Sequence, residues 1–168
     1  EAIVRRELSF NLTRYNANYD SLKALPDWAH KTMRDHAHDE RPELMDAEKI
    51  EAAETYDELW NAAQRELVAT GLLHNYVRML WGKKVIEWQQ SYEMAFELLV
   101  HLNNKYALDG RDPNSYAGIL WCFGKHDRPW FEREIFGVIR YMTSNSMSKK
   151  FKARKYIDWT YQMRQHPE

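Results

Sequence analysis

The sequence predicts an all-α domain, and three observations point there. Glycine and proline are scarce, 6 and 5 in 168 residues, so there are few places to break a helix. Alternating β-branched runs are absent. Apolar residues recur instead at helical spacing, in segments that open on capping residues and close on turn residues. A chain of this length can bury a core of its own, and residues 1–168 read as one domain without repeat or linker.

Residues 1–15 have helical spacing at Ile3, Val4 and Leu8, with no cap before them. The chain is therefore expected to start inside a helix, as a piece of something longer. "NANYDSLKALPD" is a loop that ends on Pro26 and Asp27, the cap and first turn of a short helix. A second short helix starts at Asp46 and covers 46–54. The next starts at Thr55 or Asp57 and stops at Gly71, with Leu59, Ala62, Ala63, Leu67 and Thr70 as its buried stripe. "LLHNYVRMLWGKKVIEW" (72–88) follows as a further helix. "YEMAFELLVHLNNKYAL" is the next, with Ala95, Leu98, Leu99 and Leu102 inward. The turn-rich "DGRDPNSYAGILWCFGKHDRPW" holds a short apolar helix around Tyr116–Phe123, and "SKKFKARKYIDWTYQMR" is a basic helix.

Composition sets limits on function. A net charge of −1 gives no overall field for nucleic acid, so any DNA contact needs a local basic patch. The single cysteine, Cys122, excludes a disulfide framework and fits a reducing, intracellular compartment. No apolar run approaches the roughly 20 residues that span a bilayer. Serine–histidine–aspartate spacing, a glycine-rich phosphate loop and HExxH are all missing. His30, His36 and His38 match no zinc spacing and are expected to be a solvated charged stretch, with no metal.

The aromatic share, 14% with 7 tryptophans, is high enough to ask for a use beyond packing. Trp81 and Trp88 lie two turns apart on one helix face, about 10 Å along the axis. Trp60 sits on the preceding, antiparallel helix. Core packing accounts for such a group; so does stacking on a flat cofactor or stepwise electron transfer. Arg78 falls in a stripe with Leu73, Val77 and Leu80; it is either a surface arginine whose stem snorkels or a buried guanidinium that needs a carboxylate, Asp109 or Asp112. "LDGRDPNSY" is either a capped turn or a loop that binds a polar ring. Lys149, Lys150, Lys152, Arg154 and Lys155 are a solvated face or a phosphate contact.

Together, "WNAAQRELVATGLLHNYVRMLWGKKVIEW", "LNNKYALDGRDPNSYAGILW", "HDRPW" and "FGVIRYM" resemble the C-terminal, flavin-binding part of class II cyclobutane pyrimidine dimer photolyases. "VRREL" and "YNANYDSLKALPDWAHKTM" resemble the segment just upstream, so the match runs from about residue 1 to 157. The resemblance implies the helical FAD-binding catalytic domain of the photolyase/cryptochrome type, truncated at its N-terminus. The antenna domain and the segment that holds the FAD phosphates would lie in a missing N-terminal portion. The implied activity is that of a deoxyribodipyrimidine photolyase, a carbon–carbon lyase. Light-excited, reduced FAD donates an electron to a dimer flipped out of damaged DNA. A cryptochrome-like photoreceptor and a helical remnant that binds no flavin are the alternatives. A monomer is expected, in the cytoplasm of a prokaryote or the nucleus of a eukaryote.

By the same resemblance Glu1 hydrogen-bonds the dimer, Met79 touches the damaged bases, and Trp121 and Trp130 line the dimer pocket. Arg78 and Asp109 pair beside the flavin ring, and Asn103 or Asn114 faces flavin N5. Asp112 belongs to the same cofactor loop. Trp60, Trp81 and Trp88 photoreduce the flavin, in an order left open. Arg128, Arg133, Lys149, Lys150 and Lys152 are candidate phosphate contacts by position and charge.

Overall fold

The structure, a computed structural model, describes residues 3–165. Among these residues there are nine α-helices and no strand. The helices are α1 (Val4–Tyr15), α2 (Asp27–Asp35), α3 (Ala47–Glu51), α4 (Glu58–Thr70), α5 (Asn75–Trp88), α6 (Tyr92–Tyr106), α7 (Pro113–Cys122), α8 (Ser144–Ser148) and α9 (Ala153–Gln165). A 3-10 turn, Leu22–Ala24, interrupts the first loop.

Local chemistry sets the limits of these helices. Asp57 caps α4, its carboxylate accepting from the Trp60 amide at 3.0 Å. Gly71 ends α4 in the left-handed region at φ 72°, where a Cβ would meet Leu108 Cγ at 2.7 Å. Ser91 caps α6, and Asp112 caps α7 just ahead of Pro113. Helix α3 is shorter than its pattern suggested, because Ala53 turns to φ 57° and closes it early. The basic C-terminal segment is two helices, α8 and α9, rather than one.

Helix α5 is the centre of the bundle. It packs against α4, α6, α7 and α8, while α4 also rests on α9, and α1 rests on α7. Residues around its whole circumference are therefore buried, Lys83 and Lys84 included. Close approach of α5 and α7 depends on Gly82, where a Cβ would stand 2.5 Å from Cys122 Sγ. Helix α4 is likewise covered on more than its apolar stripe: Trp60, Asn61, Gln64 and Arg65 are buried beside Leu59, Ala62, Ala63 and Leu67. No helix among the described residues is long and apolar enough to cross a membrane.

Candidate functional site

Three indoles form a continuous row inside the bundle. Trp60 stacks on Trp81 with ring centroids 6.4 Å apart and planes 4° from parallel. It meets Trp88 edge-on at 5.2 Å. Trp60 is thus the middle member, reached because α4 runs beside α5 and presents it between two positions seven residues apart. All three rings are buried, and each N–H has an acceptor: the Trp81 carbonyl for Trp60, Gln64 Oε1 for Trp81, and Tyr56 Oη for Trp88, at 2.8–2.9 Å. The packing is dense and every polar atom of the indoles is satisfied.

One turn before Trp81, α5 reaches a cavity of about 730 Å³. Arg78 and Met79 line it from α5, Asn114 and Trp121 from α7, Arg5 and Arg6 from α1, and Arg140 from the segment before α8. The Arg78 guanidinium meets the Asp109 carboxylate with two hydrogen bonds, at 2.6 and 2.7 Å. Those bonds hold Asp109 below the usual carboxylate range, against the opposing effect of burial. Arg78 Nε is buried without an acceptor. A buried N–H left this way costs about 1–3 kcal/mol, and an acceptor atom on a ligand would relieve it.

Asn114 lines the cavity and bonds to Asp112, the cap of α7. Asn103 is buried and donates to the hydroxyl of Ser115, so it stands behind the cavity wall rather than on it. Asp112 serves as a helix cap and does not line the cavity. Trp121 lies under the Arg5 guanidinium, 4.9 Å from its ring centroid, and beside His126. Trp130 is outside the cavity lining, partly exposed, between Arg128 and Arg140 at 5.3 and 4.9 Å. Arg140 lines the cavity, which puts Trp130 at its rim. Glu1 lies outside the described residues.

The basic candidates divide into two groups. Lys150 stands 5.7 Å over Tyr76, a cavity-lining ring, and Arg128 stands over Trp130 at the rim. Lys149 and Lys152 are exposed beside Lys150. Arg133 is elsewhere, over Tyr141 in a separate hollow with Glu87 and Phe136. Among the histidines, His36 pairs with Asp39 at 2.6 Å and Glu132 at 3.3 Å, and its pKa is raised by the Asp39 hydrogen bond. No metal-binding cluster occurs among the described residues.

The comparison with known proteins bears on this geometry. Over 158 residues, 94% of the chain, it is 49% identical to "Deoxyribodipyrimidine photo-lyase" of Methanothermobacter thermautotrophicus. It is 48% identical over 157 residues to the protein of that name from Potorous tridactylus, and 46% identical over 160 residues to the one from Arabidopsis thaliana. The chain is similar to deoxyribodipyrimidine photo-lyases. It spans about a third of the length of these relatives: 36%, 30% and 32%. No protein-family model matches the chain.

Several cavity residues had no role in the sequence reading: Arg5, Arg6, Asn75, Tyr76, Asp127 and Arg140. Their signal was present in "VRREL" (Arg5, Arg6), "LLHNYVRM" (Asn75, Tyr76), "HDRPW" (Asp127) and "FGVIRYM" (Arg140), which carried the resemblance without a stated purpose for these residues. What the sequence did not disclose is that α1 folds back on α7, which brings Arg5 over Trp121 and Arg6 to the same cavity.

Proposed function

We propose that this chain is the C-terminal part of the FAD-binding catalytic domain of a class II photolyase, which repairs cyclobutane pyrimidine dimers in DNA with light. The observation that carries this reading is the junction at α5. A cavity with a paired guanidinium and an unsatisfied N–H lies one turn along α5 from a row of buried indoles. A merely structural core has no need of the open side. The similarity to photo-lyases over nearly the whole chain supports the same reading.

The cavity residues fit a flavin ring. FAD, when bound, supplies light absorption and one-electron chemistry. Arg78 would hold it, offering Nε to a ring acceptor, while Asp109 balances the guanidinium charge and fixes its plane. Asn114 is a second polar contact from the wall, and Asn103 steadies that wall through Ser115. Met79 and Trp121 present apolar surface for a flipped-out pyrimidine pair, which must leave the duplex before it can be reached. Glu1 is the proposed hydrogen-bond donor to that pair. Trp88, Trp60 and Trp81, in that order, pass an electron inward toward the cavity.

Around the opening, Arg128, Lys149, Lys150 and Lys152 supply the local positive charge that a chain of net charge −1 needs for phosphate contact. Arg133 takes no part in that patch in this reading. The enzyme would act inside the cell, as a monomer, on damaged DNA and together with the N-terminal portion of the same protein. The test uses the full-length protein with ultraviolet-treated DNA. Bound FAD and light-dependent loss of dimers are expected, both reduced by Arg78→Met. A full-length protein that takes up no flavin, or leaves dimers intact in blue light, would overturn the proposal.

A further inference from the structure

Trp60, Trp81 and Trp88 are 0%, 2% and 1% exposed, so no indole of the row meets solvent. The next ring outward from Trp88 is Tyr56, which is 51% exposed. Its ring lies 5.6 Å from Trp88, edge-on at 69°. Its hydroxyl oxygen accepts the hydrogen bond of Trp88 Nε1 at 2.9 Å. Contact, hydrogen bond and exposure coincide at this one phenol.

The charges nearby favour an onward step. The Lys84 ammonium stands 5.1 Å from the Trp88 ring centroid and 5.6 Å from that of Tyr56. Burial lowers its pKa, but the Glu87 hydrogen bond at 2.9 Å and the charges of Glu87 and Asp57 together raise it, and Lys84 stays protonated. Although Glu87 offsets part of it, a positive charge this close opposes a cationic indole radical at Trp88. A phenol that loses a proton with its electron becomes a neutral radical and avoids that repulsion.

Resting on the reading of the indole row as an electron path, we propose that Tyr56 is its terminal station. One electron passes from the Tyr56 phenol to the oxidised Trp88, which returns to a neutral closed-shell indole. The phenol O–H bond breaks, and the proton goes to water at this half-exposed residue. A soluble thiol then donates a hydrogen atom to the phenoxyl oxygen, re-forming Tyr56 and leaving a thiyl radical in solution. The row thus ends at a surface residue where a reductant can collide, instead of at a buried indole.

The variant is Tyr56→Phe, which keeps the ring and removes the hydroxyl. In the flavin-loaded full-length protein, flash excitation should give an indole radical that converts to a tyrosyl radical. In Tyr56→Phe the indole radical should persist, recombine internally and lose its response to added thiol. A second readout needs no flavin: pulsed ultraviolet photoionisation of the indoles, with electron paramagnetic resonance detection, should give less tyrosyl radical in Tyr56→Phe than in the parent. Equal tyrosyl yields and equal indole-radical lifetimes would overturn the role of Tyr56 while leaving the row intact. Absence of any indole radical on flavin excitation of the parent would overturn the electron path and this proposal with it.

Discussion

The indole row and the cavity beside it share helix α5 but are built on opposite principles. In the row, three large rings are closed off from solvent and every indole N–H has its acceptor. In the cavity, Arg78 leaves a buried N–H unmet, and Met79 and Trp121 are only partly covered. A region that satisfies itself can contribute to stability on its own. A region that leaves polar groups unmet gives up stability for a ligand. The difference falls within one helical turn of α5, where the closed bundle gives way to the proposed binding site.

Removing the centre of the row should do the greatest damage. Trp60→Ala deletes a fully buried ring and leaves a cavity, so it should lower stability by about 3–5 kcal/mol, read from the urea midpoint. A loss near zero would mean that the row is not the core it looks like. At the boundary, Arg78→Met breaks the pair with Asp109. Because that carboxylate is partly exposed, a loss of about 1–2 kcal/mol is expected rather than the cost of a fully buried pair.

The same pair has a pH signature. Asp109 has its folded pKa lowered below 3.8 by the Arg78 hydrogen bonds. Its contribution is therefore present above that value and is lost as pH falls through the folded pKa. Acid titration of stability should be less steep in Arg78→Met than in the parent. On the cavity wall the effect should be smallest: Trp121→Ala removes a partly covered ring and should cost about 1–2 kcal/mol, well short of Trp60→Ala. If the two tryptophans cost the same, the contrast between closed row and open cavity fails.

Much of this organisation was legible in the sequence where the signal is local. Asp57 and Gly71 mark helix ends by capping and backbone chemistry alone, whereas α7 starts at Pro113, a turn ahead of the expected Tyr116. Trp81 and Trp88 share a face through the 3.6-residue period. The position of Trp60 between them depends on how α4 is rotated against α5, which only long-range packing decides. The partner of Arg78 was narrowed to two acids; loop geometry brings Asp109 to it and leaves Asp112 as a cap. Arg133 shows the limit of reading by charge: its sign was plain, but its face was not, and it lies in a different hollow.

The central claim is that row and cavity work as one electron-transfer unit. Photoreduction of oxidised FAD in the full-length protein, compared between the parent and Trp60→Phe, tests it most directly. Phenylalanine fills most of the space but does not carry an electron hole as indole does. The account predicts that photoreduction is lost or severely slowed while FAD stays bound, and that repair by chemically pre-reduced protein is retained. Photoreduction at the parent rate in Trp60→Phe would contradict it.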